Sequence, residues 1–305
     1  MKTHASLRTN VGDVALENCI LTASGTAGFS TELAAYGELS GLGAVVTKSL
    51  AAFAWEGNPT PRITSVGDAM MNAVGLSGPG VAAWRDKDLP ALRATGARVV
   101  ASVWGRTTEE FAKAASAMRG ADVLALEVNA SCPNLDDRST MFAHSPSATA
   151  SVVAACRTSG LPLWVKLSPN TPDLVDVATS ALKAGANALV LTNTVLGMSI
   201  DLERRTPSLG NGGGGLSGPP IFPMALRAVY ECREAFATVP IVGVGGVQSG
   251  EDAIQMFMAG ANAVEVGTAS FADPRAPWRV QREVAKWLDR HRIETLESII
   301  GGAHG

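Results

Sequence analysis

Short apolar runs return along the chain in one repeating setting. Gly-Ala followed by a hydrophobic stretch occurs at Gly43-Ala44, Gly96-Ala97, Gly120-Ala121, Gly185-Ala186 and Gly260-Ala261. The last two are near copies, Ala-Gly-Ala-Asn-Ala-Leu-Val and Ala-Gly-Ala-Asn-Ala-Val-Glu-Val. Each glycine stands where a helix would end, and each run reads as a buried parallel strand. Filling the intervals predicts strands near 19–23, 44–48, 98–103, 122–128, 163–167, 187–193, 240–244 and 262–266.

The segments between carry helical periodicity. Thr171-Pro172 reads as an N-cap and first turn, followed by Leu174, Val177, Ala178, Ala181 and Leu182 on one face. Ser249 and Asp252 have capping-box spacing ahead of Ile254, Phe257 and Met258. Residues 219–237 place Ala225, Val229, Cys232 and Phe236 along one stripe. Eight strands alternating with helices predict a single (β/α)8 TIM barrel over 1–305. A doubly wound open sheet is the alternative. It usually shows a nucleotide fingerprint after its first strand, but here that strand runs into Ser24-Gly25-Thr26. Residues 6–17 suit a small hairpin on the barrel floor, and long loops at 49–79, 129–145 and 194–217 are expected over the opposite face.

Composition narrows the function. A net charge of −3 and a pI near 5.9 give no basic footprint for nucleic acid. No apolar run approaches the ~18 residues of a membrane span, and no signal-peptide core follows Met1. The four cysteines form no C-x-x-C pair, so neither a disulfide framework nor a cysteine-ligated metal is expected. These features predict a soluble, cytoplasmic protein without a metal site.

Barrel enzymes place their chemistry at the C-terminal strand ends. Those positions hold Ser24, Lys48-Ser49, Ser102, Asn129 with Cys132, Lys166, Asn193-Thr194, Gly245-Gly246 and Gly267-Thr268. Two lysines, two asparagines and a cysteine converge there, while Asp, Glu and His are missing from the leading positions. That set argues against a two-carboxylate glycosidase and suits an anionic or carbonyl-rich ligand. The glycine-rich turns after the seventh and eighth strands suit a phosphate, although glycine also simply makes tight turns. Lys166 reads equally as an ion-pair partner, a Schiff-base nucleophile or a cation beside a cofactor. Cys132, in a loop before Pro133, reads as a nucleophile or a general base, whereas Cys19, Cys156 and Cys232 read as inert and buried.

Six words of the sequence resemble the class 1 dihydroorotate dehydrogenases. They are Gly-Asn-Pro-Thr-Pro-Arg (57–62), Met-Asn-Ala-Val-Gly-Leu (71–76), Asn-Ala-Ser-Cys-Pro-Asn (129–134), Val-Lys-Leu-Ser-Pro-Asn (165–170), Gly-Gly-Leu-Ser-Gly-Pro (214–219) and Val-Gly-Thr-Ala-Ser-Phe-Ala-Asp-Pro (266–274). The resemblance runs from about residue 6 to 300, and the first and last two words look most like the class 1B catalytic subunit. It implies an FMN enzyme of pyrimidine biosynthesis that oxidises dihydroorotate to orotate. Cys132 would remove the C5 proton while the C6 hydride passes to flavin N5. Lys48, the segment Asn72, Ala73, Val74, Gly75 and Leu76, and Asn129, Asn134, Asn193 and Thr194 would hold the substrate. Ser24, Lys48, Ser49, Ser102, Asn129, Thr192 and Gly218 would line the flavin. Lys166 would lie at its N1/O2 edge, and Gly245, Gly246, Gly267 and Thr268 would take its phosphate. Residues 133–145 would be a lid.

The chain also departs from its relatives. Ser102 stands where the family commonly has asparagine, Trp104 where it has a small residue, and the stretch after Asn134 is unusually charged. The chain itself shows no second redox centre, so the resemblance implies a partner subunit with FAD and a 2Fe-2S cluster passing electrons to NAD. It also implies a homodimer, giving a heterotetramer with that partner. A class 1A-like fumarate-dependent enzyme, a dihydropyrimidine dehydrogenase-like barrel, a Schiff-base lyase and a non-catalytic flavin-binding barrel are the other readings.

Overall fold

In a computed structural model that describes residues 6–131 and 142–305, every predicted barrel strand is present. They are Ile20–Thr22, Val45–Val46, Val99–Val103, Ala125–Asn129, Leu163–Leu167, Ala188–Leu191, Ile241–Val244 and Ala263–Val266. All eight are parallel, and each pairs with its sequence neighbour, with the eighth beside the first. A bridge between Leu21 and Ala44, with Gly43 N donating to Ile20 O at 2.8 Å, joins the first strand to the second and closes the barrel.

Period-2 alternation sorts the strand residues between two cores. Ile20, Val45, Val99, Leu126, Val165, Leu189 and Val264 pack outward against the helices. Leu21, Ala44, Val46, Val100, Ala125, Trp164, Val190, Val242 and Ala263 fill the barrel interior. The floor is the expected hairpin, Thr9–Val11 paired with Val14–Leu16, whose Val11, Val14 and Leu16 join that interior core.

The helices follow their apolar stripes. Helix Leu174–Ala184 buries Leu174, Val177, Ala178 and Ala181, and helix Phe222–Ala235 buries Ala225, Val229 and Cys232. Helix Gly250–Met258 carries the full capping box, with Asp252 N donating to Ser249 Oγ and Ser249 N to Asp252 Oδ2. Two expectations change. Thr171 is not the N-cap: helix 174–184 begins after Asp173, and Thr171 Oγ1 accepts from Asp173 N in the turn before it. Between the first and second strands the described chain forms two short 3-10 turns, Glu32–Ala35 and Leu39–Gly41, in place of a helix.

The loops after the second and sixth strands are more ordered than their glycine content suggests. Strands Ile63–Val66 and Ala69–Asn72 join Val195–Gly197 and Gly214–Ser217 in a four-stranded antiparallel sheet. Glycines 214 and 215 are strand residues here. A Cβ on Gly215 would run into Thr194 Oγ1, and one on Gly214 into the Asn72 carbonyl. The run 212–215 therefore permits close strand approach and is not simply a linker.

Candidate active site

The pocket at the C-terminal ends of the strands has a volume of about 530 Å³, within the usual range for small-molecule sites. Nearly every strand-end residue picked out from the sequence lines it. Ser24, Lys48, Ser49, Asn129, Lys166, Thr192, Asn193 and Thr194 come from the barrel. Asn72, Val74, Gly75 and Leu76 descend from the added sheet, and Gly218, Gly245, Gly246, Gly267 and Thr268 line the other end. Two residues differ. Ala73 is fully buried with its carbonyl accepting from Asn58 Nδ2, so it shapes the loop without facing the cavity. Ser102 is also fully buried and lies beneath the lining, because its position on the third strand is one layer below the mouth. Cys132, Asn134 and residues 133–141 of the expected lid lie outside the described residues. At its end, Phe142–His144 forms a 3-10 turn and Ser145 caps helix Pro146–Cys156.

The amide side chains are held by one another. Asn193 Nδ2 donates to Ser131 Oγ at 3.0 Å and to Asn129 Oδ1 at 3.3 Å, while Asn129 Nδ2 donates to Ser49 Oγ at 2.9 Å. Asn193 Oδ1 in turn accepts from Thr194 N at 2.8 Å. Asn170 supports the far side, donating to Thr194 O and accepting from Leu196 N. These bonds fix which ends of the amides remain for a ligand.

Below this layer is a group that the strand-end survey passed over. Glu127 and Glu265 are fully buried on the interior faces of the fourth and eighth strands, in line with Ala125 and Ala263. Lys166 Nζ lies 3.0 Å from Glu265 Oε2 and 3.5 Å from Glu127 Oε2. Burial alone would depress the ammonium, but the two carboxylates outweigh it and hold the Lys166 pKa above its ordinary value. A protonated amine is not a nucleophile, so the site does not support the Schiff-base reading of Lys166. For Glu265, burial raises the pKa to about 8. Lys166 opposes the rise and Glu127 adds to it. The sequence signal was present: one acidic residue interrupts each of two apolar strands, Leu126-Glu127-Val128 and Val264-Glu265-Val266.

The glycines at the other end have an architectural reason of their own. Gly245 and Gly246 take φ of 130° and 75°, and Cβ atoms there would come within 2.7 Å of Ala225 Cβ and 2.6 Å of Phe222 Cβ. Their absent side chains let the turn press against helix 222–235. Gly267 packs on Ala23, and Thr268 Oγ1 donates to Ser217 Oγ at 2.8 Å. Trp104 is accommodated under the 49–79 loop, where it meets Phe53 and Trp55 edge to face with ring centroids at 6.0 and 6.4 Å. Cys19, Cys156 and Cys232 are buried, and burial pushes each thiol up to about 12, which fits their inert reading.

A family model described as dihydroorotate dehydrogenase matches residues 6–288. The chain belongs to the dihydroorotate dehydrogenase family. Among curated relatives of this family, a Trichlorobacter lovleyi protein is 44% identical over 98% of this chain and 99% of its own length. A Geobacter sp. (strain M21) relative is 43% identical over 95% and 96%, and an Alkaliphilus metalliredigens relative 41% over 98% and 99%. Each is named as the catalytic subunit of dihydroorotate dehydrogenase B (NAD(+)). Among the described residues no helix is long and apolar enough to cross a membrane.

Proposed function

We propose that this chain, as a single domain over 1–305, is the FMN-bearing catalytic subunit of a class 1B enzyme that oxidises dihydroorotate to orotate. The observation that carries this reading is the pairing, in one pocket, of an amide-rich subsite with a glycine-rich subsite across a buried, permanently charged lysine. The residues suit the cofactor. Gly245, Gly246, Gly267 and Thr268 offer backbone and hydroxyl donors for a phosphate. Lys166 offers a fixed cation for the electron-rich edge of the ring, and Ser24, Ser49, Asn129, Thr192 and Gly218 line the space between. Thr192 Oγ1 is buried there with no hydrogen-bond partner, an orphan that a polar ring substituent would satisfy.

FMN supplies the two-electron acceptor for the C6 hydride of the substrate. This chain's residues then have three tasks. Lys48 binds the substrate carboxylate, and Asn72, Asn129, Asn193 and Thr194 hold the ring amides, with Asn134 completing the set. The backbone through Ala73, Val74, Gly75 and Leu76 shapes the entrance. Cys132, as thiolate, takes the C5 proton, and the segment 133–145 excludes water from that step. Ser102 has no direct contact with the ligand in this proposal and acts through Ser49.

Electrons leave through a separate subunit carrying FAD and a 2Fe-2S cluster, which passes them to NAD. The chain forms a homodimer, a heterotetramer with that partner, and works in the cytoplasm. The relatives' names support the partner and the acceptor. The test is the visible spectrum of the purified chain, followed by anaerobic addition of dihydroorotate. A yellow protein that bleaches supports both cofactor and substrate, whereas a protein that stays colourless with added FMN overturns the reading. Full-rate turnover of the isolated chain with NAD would remove the partner. Efficient turnover with fumarate would favour the class 1A-like mechanism. Reoxidation by uracil or thymine, without bleaching by dihydroorotate, would favour the dihydropyrimidine dehydrogenase-like one.

A further inference from the structure

The barrel interior is apolar from its floor upward until one layer below the pocket, where three charged side chains meet. Lys166 is the only cation on the described interior faces at that level, and Glu127 and Glu265 both reach it. Two carboxylates against one ammonium leave an uncompensated negative charge in a dry interior, a costly arrangement unless one carboxylate is protonated. Of the remaining oxygens, Glu127 Oε2 has only the long 3.5 Å ion pair with Lys166 Nζ, and Glu265 Oε1 has no hydrogen-bond partner. A proton on Glu265 relieves both the excess charge and this shortage of donors.

The cluster also has a route to the pocket. Ser102 Oγ donates to Glu127 Oε1 at 2.8 Å and lies 2.8 Å from Ser49 Oγ, which lies 3.3 Å from Ser24 Oγ. Ser24 and Ser49 both line the cavity. A serine hydroxyl donates and accepts at once, so three in series can pass a proton without any side chain moving far. The Ser102 hydroxyl, bonded to Glu127 on one side and Ser49 on the other, completes the series.

We propose that Glu265, with Glu127 and Lys166, is a buried proton-holding site that balances the charge of the bound cofactor on reduction, supplied through the hydroxyls of Ser102, Ser49 and Ser24. The inference rests on the flavin reading above. Hydride transfer brings two electrons and one proton, which leaves one extra negative charge over the cluster. When Glu265 is already protonated, the cluster is neutral and no further proton moves. When it is ionised, one proton from solvent passes along the hydroxyls to the Glu127 carboxylate, which hands it on to form an O–H bond on Glu265, and no bond to carbon or nitrogen changes. Glu265 touches no reacting atom in this account and acts as a positioning residue.

The groups facing it are few. Glu127 comes from the fourth strand and Lys166 from the fifth, while the described neighbours on the first and seventh strands are apolar. Lys48 lines the pocket above. Cys132 follows the fourth strand in sequence, and a thiol's unperturbed pKa is about 8.5, so the measurement must separate it.

The experiment is a potentiometric titration of the FMN-loaded protein from about pH 6 to about pH 10, paired with reduced-minus-oxidised infrared difference spectra. The expected result is a limb at alkaline pH with two protons taken up per two electrons. A carboxylic-acid C=O band that shifts in D2O appears in the same range. In Glu265→Gln the limb falls to one proton per two electrons and the band is lost, while Cys132→Ser retains both. A wild-type slope of one proton throughout, or a band surviving in Glu265→Gln, overturns the proposal. Should Glu265→Gln not fold, the wild-type slope and band decide it, and Glu127→Gln should move both. If the chain binds no flavin, the flavin reading fails separately, and the acid band of the apoprotein still reports whether Glu265 holds a proton at neutral pH.

Discussion

Lys166 Nζ and Glu265 Oε2 lie 3.0 Å apart inside the barrel, although 99 residues separate them in the chain. The fifth and eighth strands do not pair with each other, so this contact exists only once the barrel is closed. It ties the charge state of the pocket floor to the integrity of the whole fold. A lysine so held stays cationic at every pH of interest, which suits a fixed partner for a ligand better than an attacking amine.

Replacing Lys166 with alanine should therefore act twice. Leaving Glu127 and Glu265 buried without their cation should cost about 3–5 kcal/mol of stability, read by denaturant unfolding. In the surviving protein, flavin reduction should slow more than substrate affinity weakens, read by anaerobic stopped-flow. A change in affinity alone would assign Lys166 to ligand positioning.

Glu265 gives the apoprotein a pH-dependent stability with a definite sign. Its folded pKa is raised, chiefly by burial, to about 8, while the unfolded value is the ordinary 4.5. Between those values the folded state keeps a proton that the unfolded state has released, so stability falls as pH rises through the window. The slope for this one group approaches ~1.4 kcal/mol per pH unit, then flattens above the folded pKa. Chemical denaturation at intervals from about pH 5 to about pH 9 should show the decline, and Glu265→Gln should flatten it. A wild-type stability that rises across that range would contradict the assignment.

The barrel was legible because each of its strands is a local apolar run closed by a turn signal. The same holds for the hairpin floor and the capping box at Ser249. The site was legible at the strand mouths, where lysine and asparagine interrupt the hydrophobic pattern. Three things were not. The four-stranded sheet over the mouth joins segments near residues 63–72 and 195–217, and no local pattern announces a pairing such as Asn72 with Gly215. The strand–helix repeat predicts a helix after the first strand, but residues 31–41 make only 3-10 turns. Glu127 and Glu265 sit one layer below the mouth, so a survey of terminal positions passes over them. Their partner is far away in sequence, and only the parity of the strands aligns them with Lys166.

Gly246→Ala tests the glycine-rich end. Its φ of 75° and the 2.6 Å approach to Phe222 Cβ leave no room for a methyl group without moving the turn or the helix. A left-handed backbone at a non-glycine residue costs about 1–3 kcal/mol, before any clash is counted. The variant should unfold at lower temperature and lose FMN more readily than wild type, as measured by thermal scans and flavin fluorescence in the flow-through of a desalting column. Normal flavin retention would mean that this turn does not hold the phosphate.

Cys132→Ser tests the base. A thiol has an unperturbed pKa of about 8.5, so a fraction is already thiolate at neutral pH, whereas an alkyl hydroxyl is far less acidic. If Cys132 removes the C5 proton, the wild-type rate of flavin reduction should climb with pH as the thiolate fraction grows. The serine variant should keep the flavin spectrum and substrate affinity but lose roughly 10²–10⁴-fold in that rate near neutrality. It should recover part of the loss under alkaline conditions, where a stronger base becomes available. Rapid-mixing reduction by dihydroorotate at several pH values reads all of this in one series. A serine variant that matches wild type across the series would remove Cys132 from proton abstraction. The search for the base would then turn to the remaining groups around the pocket.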